Sequence, residues 1–291
     1  MDRPVRRGAA SPGRSPQGGG ASGSRPTRRR DSGRPAETRH RQDPRAYLWA
    51  YATTPFSPLR AVLYDFAESR AGQHAQDFLG DWRGTLVCDD YASYKALFDL
   101  GVTEAGCLAH ARRKFHELHV QHHSPVAAEA LGFFQKLYRI ELEAADLDPE
   151  ARSRLRKEQT RPLIEAMHAW LTAKRSQVPD GSAIAKAIDY SLKRWGPLTR
   201  FLEDPGVPVD NNHLENRIRP VALGRRNWLF AGSLRAGQRA AALMSLIQSA
   251  KLNGHDPYAY LRDIMDRLPT QPAQRIGELL PHRWQSQLAP A

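Results

Sequence analysis

The hydrophobic residues in the first half of this chain fall into short runs, separated by proline, glycine and polar clusters. Runs of about four to eight residues rich in β-branched and aromatic side chains are typical of strands, and apolar residues three and four apart are typical of helices. The pattern predicts strands at residues 47–54, 60–66, 84–88 and 103–108, and helices at 72–79, 93–100 and 109–119. The first two strands flank a turn with two prolines and are predicted to form a hairpin.

From residue 124 onwards the spacing of apolar residues is helical almost throughout. One such set within the block 124–200 is Leu131, Phe134, Leu137 and Tyr138. Later helices are predicted at 233–252 and 256–267, whereas the proline-punctuated residues 269–291 are predicted to be loose. This order predicts an α/β core with a mixed sheet flanked by helices, interrupted by a large helical insertion and followed by a helical C-terminal region.

The segment 210–220 reads Asp-Asn-Asn-His-Leu-Glu-Asn-Arg-Ile-Arg-Pro and predicts a short helix. Asp210 is a favourable N-cap residue, and Pro220 is predicted to end the helix. Glu215 lies on this helix among amides and arginines. That setting suits a site which handles a metal ion and a phosphate together.

A second acid, Asp89, follows the predicted strand 84–88 directly. Carboxylates at the carboxyl ends of strands face the ligand crevice in open α/β sheets. Two or three such acids can hold two Mg²⁺ (or Mn²⁺) ions about 3.5–4 Å apart for an in-line displacement at phosphorus. Alternatively, the role of Asp89 is only to cap the next helix, and Glu215 belongs to a solvated helix face.

Basic residues cluster near both acids and are candidates for binding DNA phosphates. Around Glu215 they are Arg217, Arg219, Arg225 and Arg226, with Trp228 nearby. That tryptophan could stack on an exposed base, or it could have only a structural role. Arg112, Arg113 and Lys114 could meet phosphate or form a solvated helix face.

Cysteine usage gives little support for a metal or disulfide framework. Cys107-x-x-His110 is half of a zinc motif, but no second pair lies nearby, so a buried thiol and a helix-starting histidine are the alternative. Cys88 and Cys107 are the two cysteines of the chain, which fits a reducing cytosol.

The formal net charge of this 291-residue chain is +12, and its distribution is uneven. Residues 1–45 hold 12 Arg, no Lys and 4 acids, which gives +8. This tail has almost no large apolar residues, so it is predicted to be disordered. No run is long and apolar enough to be a signal peptide or to span a membrane.

Several long motifs, in order, resemble the transposases of the insertion sequence 66 family. They are the segment 210–220, Ala222-Leu223-Gly224-Arg225-Arg226-Asn227-Trp228-Leu229-Phe230-Ala231-Gly232-Ser233, Tyr47-Leu48-Trp49, Cys107-Leu108-Ala109-His110-Ala111-Arg112-Arg113-Lys114-Phe115 and Leu252-Asn253-Gly254-His255-Asp256-Pro257-Tyr258-Ala259-Tyr260-Leu261. The resemblance extends over roughly residues 46–284.

This resemblance implies a ribonuclease-H-like fold and an Asp-Asp-Glu triad that binds Mg²⁺ or Mn²⁺. Asp89 matches the second Asp and Glu215 matches the Glu, and both are expected to be catalytic and to bind the metal. The implied activity is strand cleavage and transfer at the ends of an insertion sequence. A bacterial cytoplasmic, nucleoid-associated protein that is a homo-oligomer when active is also implied.

The chain departs from the family pattern at the first catalytic Asp. In the family it belongs to an Asp-Glu-Thr motif on the first strand, but here that region is the Arg-rich tail, where only Ala36-Glu37-Thr38 is similar. The family's N-terminal DNA-binding and zinc-binding parts also have no counterpart. We therefore expect a truncated copy with an incomplete sheet, and the alternative is a DNA-binding remnant without catalysis.

The predicted organisation has three parts. They are a disordered tail at 1–45, a catalytic domain at 46–268 with its helical insertion at about 124–205, and a C-terminal extension at 269–291.

Overall fold

The computed structural model describes residues 8–10, 46–224 and 233–286. Its sheet has five strands in the order β3-β2-β1-β4-β5. The strands are β1 (Gly8–Ala10), β2 (Tyr47–Thr53), β3 (Val62–Ala67), β4 (Thr85–Cys88) and β5 (Thr103–Gly106). β2 pairs antiparallel with β3, which confirms the predicted hairpin, and β4 and β5 are parallel.

Alternate residues of the strands pack on opposite sides of the sheet, as the two-residue period of a strand requires. Trp49 and Tyr51 of β2 join Leu86 and Cys88 of β4 in one hydrophobic cluster. The intervening residues, which include Val87, join a larger cluster on the other side. Since Asp89 follows Cys88, the same alternation places it on the side of the larger cluster.

The central strand β1 lies inside the segment predicted to be disordered. Its backbone pairs antiparallel with β2 and parallel with β4, and Ala9 and Ala10 are register partners of Val87 and Cys88. The sheet is therefore not incomplete at its centre, contrary to the expectation from the sequence. Gly-Ala-Ala has neither alternation nor β-branched residues, so no pattern marked this strand.

Two helices cover the smaller cluster, and the helical block covers the larger one. The first two are α1 (Gly72–Leu79) and α2 (Lys95–Asp99). The block contains α3 (Leu108–His122), α4 (Pro125–Ala144), α5 (Pro149–Leu155), α6 (Arg161–Arg175), α7 (Ala183–Lys193) and α8 (Trp195–Thr199). These elements confirm the predicted mixed α/β class and the helical block.

The helix that carries Glu215 is longer than predicted. This helix, α9 (Asn212–Gly224), contains Pro220 in its interior instead of ending there. Proline removes one backbone hydrogen bond but does not forbid helical geometry on either side. Residues 225–232, which follow α9, lie outside the described part of the chain.

The strand β3 is at the edge of the sheet, and α10 (Leu234–Leu252) covers that edge through two serines. Ser245 Oγ accepts a hydrogen bond from the Tyr64 amide at 2.8 Å, and Ser249 Oγ accepts one from the Val62 amide at 3.0 Å. Ser249 also donates to the Val62 carbonyl at 2.9 Å. Because these groups would otherwise be free to pair with another chain, the serines protect the sheet edge.

The C-terminal residues fold back on α11 (Pro257–Arg267), although they were predicted to be loose. Trp284 is 8% exposed and packs against Tyr260. Its indole N–H donates to Asp263 at 2.7 Å. Among the described residues no helix is both long and apolar enough to cross a membrane.

Two buried arginines hold the irregular segment between the helical block and α9. Arg156 is 1% exposed and forms two hydrogen bonds with Glu141, at 3.1 and 2.7 Å. It also donates to three carbonyls, those of Phe201, Asp204 and Val207. Arg152 donates to the carbonyl of Pro205 at 3.0 Å.

Replacing Arg156 should be among the most damaging changes in the helical block. Arg156→Met leaves Glu141 buried without a partner, so we expect a loss of about 3–5 kcal/mol in the free energy of unfolding, measured with urea. The control is Arg161→Met, since Arg161 pairs with Glu203 on the surface and should cost about 0–1 kcal/mol. Equal losses in both variants would contradict this account.

Candidate functional site

Asp89 lies at the carboxyl end of β4 and is partly buried. One of its carboxylate oxygens, Oδ1, is buried and has no hydrogen-bond partner. Burial raises the pKa of the Asp89 carboxyl, and Asp90 adds to that rise, while His110 and Arg194 only partly offset it. A strand-end carboxylate that is left unpaired is available to bind a ligand, and no described group uses that oxygen in a structural hydrogen bond.

His110 is a common neighbour of the two predicted acids. It lies in the first turn of α3, where its charge acts on Asp89, and its Nε2 is 3.7 Å from Glu215 Oε1. Arg113, one turn later, places Nη2 4.0 Å from the other Glu215 oxygen. Both distances are long for hydrogen bonds, so the Glu215 oxygens, on a side chain that is 33% exposed, remain accessible.

The starts of α3 and α9 are joined by three hydrogen bonds, which fix His110 relative to Glu215. The thiol of Cys107 donates to Asn211 Oδ1 at 3.0 Å, and the Asn211 amide donates back to the sulfur at 3.5 Å. The Leu108 amide donates to the Val209 carbonyl at 3.0 Å. Burial raises the pKa of Cys107 to about 12, so the sulfur keeps its proton.

Asp210 stabilises the start of α9 and takes no direct part in the acidic site. Its carboxylate accepts hydrogen bonds from the backbone and side-chain nitrogens of Asn212, at 3.0 and 2.8 Å. The hydroxyl of Tyr138, on α4, donates to the same carboxylate at 2.7 Å. Asn211, and not Asp210 as predicted, directly precedes the first residue of α9, so Asp210 acts one residue earlier and also contacts the helical block.

Arg194 ties the end of α7 to the sheet edge beside Asp89. It bonds to Asp90 at 2.5 Å and to Glu104 at 2.6 Å, and its side chain is 14% exposed. Two neighbouring carboxylates are thereby ion-paired, which leaves Asp89 as the unpaired acid at this edge among the described residues.

The predicted DNA-binding residues separate into different surroundings. Lys114 lies over the ring of Tyr190, with 4.4 Å between its Nζ and the ring centroid. Arg113 approaches Glu215, whereas Arg112 lines a groove between α3 and α4. Arg219 is exposed on α9, and Arg217 is partly buried. Arg225, Arg226 and Trp228 lie outside the described residues.

No three His, Cys, Asp or Glu side chains converge on a metal-binding geometry in residues 46–224 and 233–286. The zinc alternative for Cys107 and His110 gains no support there, since the thiol is occupied by Asn211.

Sequence reasoning missed the central position of His110 and the role of Arg194. His110 was considered only as half of a zinc motif, although it stands in the Cys107–Phe115 motif quoted for the family resemblance. Arg194 had no recognisable signal, because its partners Asp90 and Glu104 are far from it in the sequence.

Residues 34–239 match a family described as "Transposase IS66 family", and residues 245–282 match one described as "IS66 C-terminal element". The curated proteins that match include three from Sinorhizobium fredii (strain NBRC 101917 / NGR234). "Uncharacterized protein y4hP" is 38% identical over 258 residues, covering 81% of this chain and 47% of that protein.

Two further relatives give the same picture. "Uncharacterized protein y4jD" is 36% identical over 254 residues, covering 82% of this chain and 49% of that protein. "Uncharacterized protein y4qI" is 34% identical over 254 residues, with coverages of 81% and 46%. The chain therefore spans about half the length of the curated relatives it matches. No solved structure gives a significant match.

The two buried cysteines allow a matched test of the link between α3 and α9. Cys107→Ala leaves Asn211 Oδ1 buried without a donor, whereas Cys88→Ala removes a thiol that has no such partner. We expect Cys107→Ala to lower the free energy of unfolding by about 1–3 kcal/mol more than Cys88→Ala does in urea titrations. A smaller loss for Cys107→Ala than for Cys88→Ala would contradict the proposed link.

Asp89→Asn should stabilise the protein at neutral pH in the absence of divalent cations. Because burial raises the folded-state pKa of Asp89, stability is lost as pH rises from the ordinary pKa of Asp through the raised value. The variant removes this loss, so its advantage should vanish below a pH of about 4.

Thermal unfolding across that pH range measures the effect. The control is Asp90→Asn, which breaks the ion pair with Arg194 and should give no stabilisation. A stabilisation by Asp89→Asn that persists unchanged at low pH would contradict the burial of this carboxylate as its cause.

Proposed function

The chain belongs to the IS66 transposase family, and we propose that it forms the ribonuclease-H-like core of an Asp-Asp-Glu DNA transposase with two of the three acids. Asp89 and Glu215 are those two acids. The proposed reaction of the intact site is cleavage of DNA phosphodiesters and transfer of the strand. The proposed substrate is the pair of DNA ends of an insertion sequence.

The observation that carries this proposal is the shared neighbour of the two acids. Asp89 and Glu215 are distant in sequence and come from a strand end and a helix, yet His110 lies 3.7 Å from Glu215 and also acts electrostatically on the pKa of Asp89. The strand order β3-β2-β1-β4-β5, with an antiparallel β2–β3 pair and parallel β1, β4 and β5, supports the ribonuclease-H-like assignment. The family match supports the role in transposition.

The donor set fits one divalent cation better than two. The unpaired Oδ1 of Asp89 and the carboxylate of Glu215 are hard oxygen ligands of the kind that Mg²⁺ and Mn²⁺ require. Such an ion, when bound, would activate the attacking oxygen and stabilise the leaving oxygen. No third carboxylate among the described residues joins this pair.

The remaining residues near the acids would bind and orient the DNA. In this proposal His110 and Arg113 hold Glu215 in place, and Arg112 and Arg219 present exposed guanidinium groups to backbone phosphates. Arg194 pairs with Asp90 and Glu104 and reduces the net charge of that trio to −1, so that less negative charge opposes the approach of DNA.

A second candidate function, DNA binding without cleavage, is favoured by the composition of β1. The family's first catalytic Asp belongs on the first strand, and the strand at the centre of this sheet is Gly8-Ala9-Ala10. It carries no acid, so binding can persist where cleavage has been lost.

Metal-dependent nicking distinguishes the two functions. We expect the chain to bind duplex DNA in a salt-sensitive manner and to nick it weakly with Mn²⁺. Glu215→Gln should abolish any nicking without weakening binding. Nicking that is unchanged in both Glu215→Gln and Asp89→Asn would refute the catalytic assignment of these acids.

Introducing an acid into β1 tests whether the absence of an acid on this strand limits the predicted nicking. Ala9 is the register partner of Val87, which is two residues before Asp89, and Ala10 is the register partner of Cys88. We expect Ala9→Asp to raise Mn²⁺-dependent nicking and Ala10→Asp, one register position away, to leave it unchanged. Equal rates in both variants would argue against a missing first acid.

A further inference from the structure

Four separate segments of the chain meet at a cavity of about 260 Å³. They are the end of β2, the turn before β3, the helix α9 and the end of α10. The cavity is lined by Thr53, Thr54, Pro55, Arg60, His213, Arg217, Lys251 and Leu252. Three of these side chains are permanent cations, and none of the lining residues is acidic.

The cations of this cavity have no carboxylate partner. Arg60, Arg217 and Lys251 form no ion pair with any acid in the described part of the chain, whereas Arg156, Arg175 and Arg194 each do. Three unpaired cations held at one place repel each other, and a bound anion would relieve that repulsion.

Two polar groups at the cavity are buried and unsatisfied. Thr54 is 5% exposed, and its hydroxyl has no hydrogen-bond partner. The Nε of Arg217 is also buried without a partner. Buried polar groups normally have hydrogen-bond partners. Two unsatisfied donors beside a cationic cavity therefore indicate that the cavity binds a ligand with hydrogen-bond acceptors.

The surrounding structure holds these groups in place. The hydroxyl of Tyr64 donates to the Arg217 carbonyl at 2.6 Å, and the Asn253 amide donates to the Arg60 carbonyl at 2.8 Å. His213 and Arg217 lie one turn apart on α9 and so share a face.

We propose that this cavity binds a phosphate group, and specifically a backbone phosphate of the DNA strand that passes α9. Guanidinium groups, an ammonium group and a hydroxyl are the donors that phosphate oxygens accept from in proteins. The assignment to DNA rests on the proposed function. Glu215 is two residues from both His213 and Arg217, so the cavity lies across the helix from the acidic site.

The distance across the helix fits a short stretch of one strand. A helix with its side chains is about 10–12 Å wide, and DNA rises about 3.4 Å per nucleotide along a strand. The phosphate in the cavity would therefore lie within a few nucleotides of the one at the acids. It would hold the strand in register without contacting the reacting bond.

Thr54→Val provides the first test, with inorganic phosphate as the probe. This change removes the unpaired hydroxyl and keeps the shape of the side chain, so stability should be unchanged or higher. Phosphate affinity, measured from ³¹P NMR line broadening, should fall about tenfold or more. Unchanged phosphate affinity in Thr54→Val would overturn the proposal.

The second test uses duplex DNA and a matched pair of exposed lysines, Lys251 in the cavity and Lys186 on α7. Lys251→Ala should reduce the slope of log affinity against log salt by about 0.9, the value for one phosphate contact, and Lys186→Ala should not. Equal effects of the two substitutions would mean that only net charge matters, which would overturn the site.

The two probes separate this inference from the proposed function. If the wild-type chain binds no DNA but Thr54→Val and Lys251→Ala still weaken phosphate binding, the phosphate site is supported and the DNA proposal fails. If DNA binds and neither variant changes phosphate binding or the salt slope, DNA binding is supported and the cavity is not its phosphate site.

Discussion

The guanidinium group of Arg156 lies among the helices of the block with only 1% of the residue exposed, and a charge in that position requires full compensation. Glu141 supplies the opposite charge, and the carbonyls of Phe201, Asp204 and Val207 accept hydrogen bonds from Nη1 of Arg156. Those carbonyls belong to the segment that connects the helical block to α9. The order of that segment therefore comes from an internal charge as well as from apolar packing.

The contacts continue from this segment to the acidic site. Val209 accepts a hydrogen bond from the start of α3, and Asn211 exchanges two with Cys107. Tyr138, on the helical block, holds Asp210 at the start of α9. The helical block thus does more than separate Asp89 from Glu215 in the sequence, because its buried polar contacts determine where the helix bearing Glu215 begins.

Most of the regular elements could be predicted because each has a strong local pattern. The strand before Asp89 is an apolar run, and the helix with Glu215 has a polar N-terminal segment, so the placement of Asp89 at a strand end and of Glu215 on a helix could be predicted. The strand β1 could not be predicted, because three small residues carry no periodic signal and are held only by pairing with β2 and β4. Long-range partners were likewise hidden, as with Arg194 and its two acids.

The helix α9 presents opposite charges on its two sides, and this arrangement separates binding from cleavage in the proposed function. Glu215 belongs to the acidic site, whose carboxylates repel DNA when no cation is bound. His213 and Arg217 instead line the cationic cavity. The cationic cavity on the opposite side of α9 can bind the phosphates of a DNA strand despite that repulsion. Loss of a single acid from β1 would then abolish DNA cleavage but leave DNA binding intact, because the cavity contains none of the acidic residues.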